Sequence, residues 1–370
     1  MRTQQQPWAF ALGGLAGNNA HGAGFLQAAL DAGQVPQMIS CTSGQILWAC
    51  RYLNALRGGS ATLRAQFQAD LDAVQRTGEP NTDLALLGLF GKQGVFRPAY
   101  DRVFSDWWRN AGDVFADIVS RKGKVLAAKE LWSLMPARTL VPQFPETFFD
   151  TIAQTFQAAD IGIAFNAYNP RSGDEHVYLN PQARTLLRQG GNQVYDPGTP
   201  NRHRPYRTYQ DIDAQAVRDG LWLYQYGFDQ KGSDFVDGAY FRGVMLSELT
   251  RSDLIFSVRP VHHQWQGRMP GNYPEMEDLK TEVGFNGAYS AERDQLLLIN
   301  QWIAEGLLDP RRAGRYHPVA LEEIEIESQR GYFDYVMESM DVFDQARDEA
   351  LRRFARWSAD GDVPRTPPGR

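Results

Sequence analysis

Apolar and polar positions follow two different periods along this chain, and the switch between them is clearest near its start. Residues 8–12 read WAFAL, a short apolar strand that ends at Gly13-Gly14. A loop of small residues follows, Leu15-Ala16-Gly17-Asn18-Asn19, and residues 21–32 then take a helical period that Gly33 stops. Residues 38–41 form a second strand, followed by Thr42-Ser43-Gly44. Ile46, Leu47, Cys50 and Leu53 then fall on one helical face. Strand, loop, helix, strand, turn, helix is the opening of an open, mainly parallel α/β sheet.

Residues 60–155 are mostly helical in pattern, with Gly/Pro interruptions near 78–80, 88–94 and 142–145. They read as helices over the sheet plus a covering segment. Residues 161–165 and 177–179 return as strands, with residues 169–173 as the turn of a hairpin. Residues 187–210 are polar and rich in Pro and Gly, and read as a long surface loop carrying Arg188, Arg202, Arg204 and Arg207. Residues 213–223 and 291–307 read as helices; residues 235–237, 254–258 and 321–326 read as strands. The last helix, residues 332–357, aligns Phe343, Ala346, Ala350, Phe354 and Trp357 on one side. No linker divides the chain. The pattern gives one domain over residues 1–357, with its core at about 8–57 and 155–330, a helical cover at about 60–155, and a disordered tail at 358–370.

Composition narrows the class. With 370 residues, 43% hydrophobic and 22% charged, the chain is ordinary globular material and large enough to need no disulfide or metal staple. Lys plus Arg number 38 against 44 Asp plus Glu, a balance that argues against a nucleic-acid partner. The two cysteines, Cys41 and Cys50, read as buried core thiols, and no Cys/His spacing announces a metal centre. No stretch approaches a membrane span and the N-terminus offers no secretory h-region. The expected location is therefore the cytoplasm, with signal-independent export left open.

Two passages could carry chemistry. Ser43 lies on a strand-to-helix turn, where its Oγ would be exposed and the helix N-terminus would offer unpaired N–H groups to an oxyanion. The glycine-rich loop after the first strand would let more N–H groups approach a reacting acyl group. The second passage is Phe235-Val236-Asp237-Gly238-Ala239-Tyr240, an acidic residue at a strand end. Each has a plainer reading. Ser43 could cap the following helix, Asp237 could make an Asx turn, and the glycines could cradle a phosphate. Among the histidines, His262-His263 is the best candidate for a Ser–His–Asp triad, while His21 reads as a packed residue. The aromatic clusters at 104–108 and 222–228 could line an acyl pocket or belong to the core.

Taken together, these passages resemble the patatin-like phospholipases, which have a glycine-rich oxyanion loop, a G-x-S-x-G nucleophile turn and a distant D-G-[GA]. Here the order is Gly13-Gly14 through Gly24, then Ser43, then Asp237-Gly238-Ala239, and the likeness covers residues 8–57 and 212–260. The nucleophile turn departs from the family, since Cys41 and Gln45 replace both motif glycines. The resemblance implies a three-layer α/β/α sandwich with a mainly parallel central sheet. It also implies a Ser43–Asp237 dyad that hydrolyses carboxylic esters of lipids, as in phospholipase A. The oxyanion hole would be drawn from Gly13, Gly14, Leu15, Ala16, Gly17 and Gly44. No cofactor or metal is implied; the partner is an acyl-ester substrate, with transient contact to a membrane surface. Two alternatives stand beside this: a catalytically impaired relative that binds lipid or a partner, and an acyltransferase using the same dyad.

Overall fold

The computed structural model describes residues 6–14, 19–59, 61–76, 96–120, 134, 138, 140–142, 144–188, 193–199, 204–228, 232–260, 262–265, 267–308, 317–326 and 340–359. The protein is a three-layer α/β/α sandwich around a mostly parallel sheet. The chain runs β1 (Gln6–Leu12), α1 (Ala20–Asp31), β2 (Pro36–Cys41), α2 (Gln45–Leu56), α3 (Leu63–Arg76), β3 (Phe96–Pro98), α4 (Tyr100–Ser120) and β4 (Leu140–Pro142). It continues through α5 (Glu146–Gln157), β5 (Gly162–Tyr168), β6 (Glu175–Leu179), α6 (Pro181–Arg188), β7 (Arg207–Asp211), α7 (Ala214–Leu221) and β8 (Val236–Asp237). It ends with β9 (Leu254–Val258), α8 (Tyr273–Ala304), β10 (Ala320–Ile324) and α9 (Met340–Ala359). The main sheet has the order β10-β9-β1-β2-β5-β6-β7, and β8 adds to the end of β5.

The period-two pattern of β1 sorts its side chains by size. Trp8, Phe10 and Leu12 face one layer with Phe25 of α1, Tyr52 of α2, Val217 of α7 and Phe354 of α9. Ala9 and Ala11 face the other, with Leu187 of α6 and Tyr289 and Leu296 of α8. On the first face the rings meet edge to face: Phe10 lies 4.8 Å from Phe25 and Phe256 lies 5.0 Å from Phe354. Helix α1 ends as the sequence requires. Gly33 takes φ +65°, and Gln34 N–H reaches Ala29 O at 2.8 Å in a Schellman closure.

Several expectations need correction. The loop expected at 187–210 contains the last two residues of α6 and the first residues of β7, which pairs parallel to β6. Its arginines are engaged within the protein: Arg207 is buried against Glu175, Arg188 pairs with Asp196, and Arg204 bonds Gln295. Arg202 lies outside the described residues. Helix α8 starts eighteen residues before the expected 291, because its signal is local rather than periodic. The Asn272 side chain caps Glu275 N at 3.0 Å and Pro274 sits in the first turn. The short antiparallel pair β3–β4 was not foreseen. The last helix is described only from Met340, so its expected start at 332, like the tail after Ala359, lies outside the described residues. Among the described residues no helix is long and apolar enough to cross a membrane.

The sheet's far half holds a buried ion-pair network. Glu175 accepts from Arg242 Nε at 2.8 Å and from Arg207 Nε at 2.5 Å. Glu248 accepts from Arg242 Nη1 at 2.7 Å, and Ser247 Oγ also accepts from Arg242 Nη1 at 2.9 Å. Burial pushes the Glu248 carboxyl up, but Arg242 and Arg207 outweigh it and hold the group at about 2. Because Arg207 alone would then face both Glu175 and Glu248, Arg242→Met should cost about 3–5 kcal/mol in urea denaturation, far more than a surface Arg→Met change.

Candidate active site

Strands β1, β2 and β5 run parallel and end at the same edge of the sheet, where ligands of open α/β folds gather. Ser43 stands on the turn between β2 and α2 with φ 54°, the one positive φ at a non-glycine position among the described residues. A serine held in that region carries roughly 1–3 kcal/mol of strain, which the surrounding bonds must offset. Thr42 supplies several of them. Its N–H donates to Leu12 O at 3.1 Å, its Oγ1 donates to Gly243 O at 2.8 Å, and it accepts from Gly14 N at 2.9 Å. Gln45 N–H closes the turn on Thr42 O at 3.1 Å.

The capping reading of Ser43 does not hold. The N-cap of α2 is Gly44, without a side-chain cap bond, and the Ser43 hydroxyl acts on the buried Asp237 carboxyl, favouring its charged form. Asp237 reaches the site because β8 pairs antiparallel with the end of β5, Asp237 opposite Ala167. Its Oδ1 also accepts from Ala239 N at 2.9 Å, so the Asx-type turn and the contact with Ser43 coexist. Both residues are 1% exposed. Burial pushes the Asp237 carboxyl up to about 7, against the opposing bonds from Ser43 and Ala239 N–H.

The six oxyanion candidates separate. Gly13 N–H donates to Val258 O at 2.9 Å and Gly14 N–H to Thr42 Oγ1, so both are engaged in holding the strand end. Gly44 N–H has no acceptor among the described residues, as a first-turn donor should. Leu15, Ala16 and Gly17 lie outside the described residues.

Gln45 occupies a position where the patatin motif has glycine, and its side chain is fully buried. It fits because Gly22 of α1 leaves room: a Cβ there would stand 2.1 Å from Gln45 Oε1. Gln45 Nε2 donates to Asn19 O at 3.3 Å. His21 Nε2 lies 2.7 Å from Gly13 O and therefore carries the ring proton. Burial, partly offset by that bond, lowers His21 to about 4, so it stays neutral. Cys41, the other replacement, is buried with its thiol on Ala164 O at 3.8 Å, and burial pushes its pKa up.

The histidine pair is engaged elsewhere. His262 Nε2 and His263 Nδ1 each lie 3.2 Å from Glu325, with no bond to Ser43 or Asp237. Of the aromatic clusters, Phe104, Trp107 and Trp108 sit on the exposed side of α4, while Trp222 and Tyr226 pack with Leu140 and Leu223. Tyr224 stacks on Tyr240 at 3.6 Å, and both Tyr224 and Tyr226 feel the Asp237 charge.

Sequence reasoning missed the residues that hold the aspartate. Asn166 Nδ2, on β5, donates to Gly238 O at 3.3 Å, Arg242 O at 3.4 Å and Glu175 Oε1 at 3.0 Å. It ties the Asp237 turn to the buried ion-pair network. A polar residue inside the apolar run of β5 was the one available signal.

No protein-family model and no curated protein matches the chain. Among solved structures it aligns with the crystal structure of VipD from Legionella pneumophila at 10% identity and TM-score 0.27. The alignment covers 94% of this chain and 66% of that one, just under two thirds of VipD. The functional reading therefore rests on Ser43, Asp237 and the turn that brings them together.

Proposed function

We propose that this chain is a serine acyl hydrolase that cleaves carboxylic esters of lipids, in the manner of a phospholipase A, through a Ser43–Asp237 dyad. The observation that carries the reading is a serine held at φ 54° beside a buried carboxyl raised to about 7, whose charge the serine hydroxyl favours. A carboxylate with that pKa is matched to accept a proton near neutral pH. The motif resemblance to patatin-like phospholipases supports the same assignment, and the engagement of His262 and His263 with Glu325 favours a dyad over a triad.

Ser43 Oγ attacks the acyl carbon while its proton passes to Asp237. The oxyanion takes Gly44 N–H, with Leu15, Ala16 and Gly17 as further donors. Collapse expels the alcohol, which takes the proton from Asp237. Water then gives a proton to Asp237 as its oxygen attacks the acyl-enzyme, and release of the fatty acid returns that proton to Ser43. None of these steps calls for a metal or organic cofactor. The acyl-ester lipid is the partner this chemistry needs, and the dyad, nearly closed to solvent, has to be uncovered for a membrane-borne substrate to enter.

A non-catalytic lipid-binding relative is the second reading. It is favoured by the engaged amides of Gly13 and Gly14 and by the crowding around Gln45. A fluorophosphonate probe separates the two, because only an activated serine is labelled. Wild type should label at Ser43, and an unlabelled but folded protein would support the binding reading.

Ser43→Ala and Asp237→Asn should each lower kcat/KM for a short-chain ester by about 10³-fold or more, with unchanged far-UV circular dichroism. Retained activity in Asp237→Asn with loss in His263→Ala would replace the dyad by a triad. Since the base must be deprotonated, kcat/KM should rise with pH and level off above about 7.

Stability should run the opposite way. The folded pKa of Asp237 lies above the ordinary 3.8, so the folded state binds the proton more tightly than the unfolded one. That contribution is full below 3.8 and is lost as pH rises through about 7. Asp237→Asn should therefore gain stability relative to wild type as pH rises from about 4 to about 7 in urea titrations, with no further gain above that.

A further inference from the structure

The carboxyl edge of the sheet holds a second cluster that the acyl-transfer reading leaves unused. Strands β9 and β10 run parallel, with Val258 opposite Ile324. Glu325 immediately follows β10, while the segment leaving β9 turns so that His262 and His263 face it. His262 Nε2 lies 3.2 Å from Glu325 Oε2, and His263 Nδ1 lies 3.2 Å from both carboxylate oxygens. One donor atom from each of the three residues falls within a 4.8 Å span.

We propose that His262 Nε2, His263 Nδ1 and the Glu325 carboxylate form a site for a divalent transition cation of the zinc type. Two imidazoles and one carboxylate are a donor set suited to such a cation, and three protein ligands leave a fourth position for water. The spacing fits. Metal–ligand bonds of about 2.0–2.1 Å in a tetrahedron place neighbouring donors about 3.3 Å apart, and the histidine nitrogens stand at nearly that distance from the carboxylate. The ring centroids are 4.2 Å apart, so the two imidazoles converge on Glu325 rather than splaying into solvent.

The outer contacts hold this geometry. Arg259 Nη2 donates to Glu325 Oε1 at 2.8 Å, fixing the carboxylate by one oxygen. Arg259 Nη1 donates to Asn286 Oδ1 at 3.1 Å, and Asn286 Nδ2 donates to His262 O at 2.9 Å. The guanidinium itself lies over the Tyr289 ring at 3.9 Å. A chain of bonds thus sets both a ligand backbone and a ligand carboxylate, which is how outer partners orient metal ligands. The sequence expectation of no metal centre looked for Cys/His spacing, whereas the third donor here comes from a strand 62 residues beyond His263. The site lies two to three strand positions from Ser43 along the same edge, roughly 10–15 Å away.

The untagged full chain titrated with zinc chloride by calorimetry, and with cobalt chloride by visible absorbance, tests the proposal. Wild type should take up one cation per chain, with cobalt giving the intense bands of a four-coordinate site. The His263 side chain is 60% exposed, so His263→Ala should fold as wild type and weaken binding by at least about tenfold. Glu325→Gln should do the same. His317→Ala, at a histidine near Asp253, and Ser43→Ala should bind as wild type. The serine control keeps this outcome separate from that of the hydrolase reading. Absence of saturable uptake, or uptake that folded His263→Ala leaves unchanged, would overturn the site and leave a hydrogen-bonded His–Glu cluster.

Discussion

The Asp237 carboxyl has almost no access to water, and burial lifts its pKa against the opposing effects of the Ser43 hydroxyl and the Ala239 N–H. A serine in the left-handed region and an aspartate under burial are both unfavourable taken alone. Bonds from the neighbouring backbone and Thr42 hold both in place. Thr42 ties the turn to Leu12, Gly14 and Gly243, and Ala239 N–H ties down the aspartate. The helix after the turn leaves Gly44 N–H unpaired among the described residues. Strain, desolvation and an open donor meet within one turn, the combination expected where a nucleophile is prepared.

Behind the aspartate, the protein uses charge where most cores use hydrocarbon. Glu175 and Glu248 face Arg207 and Arg242 with almost no solvent between them, and Asn166 joins this group to the Asp237 turn. Such a cluster adds little stability over an apolar packing of the same volume. Its bonds have direction, however, and through Asn166 they reach the Gly238 and Arg242 carbonyls beside the short strand β8. The two departures from the glycine pattern of the elbow are absorbed in the same local way. Gln45 takes the space opened by Gly22, and Cys41 takes a buried place against Ala164 O.

What the sequence determined by itself was local. Alternation in residues 8–12 set the two faces of β1, since side chains on a strand point to opposite sides whatever the partner. The stop at Gly33 and the strand–turn–helix around Ser43 were equally readable, because turn and cap chemistry act over a few residues. The order of Gly13-Gly14, Ser43 and Asp237-Gly238-Ala239 pointed to Ser43 and Asp237 through its likeness to a known family. It could not choose between a capping serine and one turned toward Asp237, because both begin from the same turn.

Tertiary structure decided the rest, and the reason is distance along the chain. Asn166 meets Gly238 across 72 residues, and Arg242 meets Glu175 across 67. Arg207 reads as a solvated loop cation until β7 is seen to pair with β6, which carries it inward onto Glu175. The amides of Gly13 and Gly14 look available in a glycine-rich loop, yet β9 and Thr42 occupy them. His262 and His263 have no visible third partner until β10 lies down beside β9. Periodicity and turn residues report on neighbours a few positions away, whereas burial and ion pairing depend on which strands lie side by side, and that is fixed only when the sheet assembles.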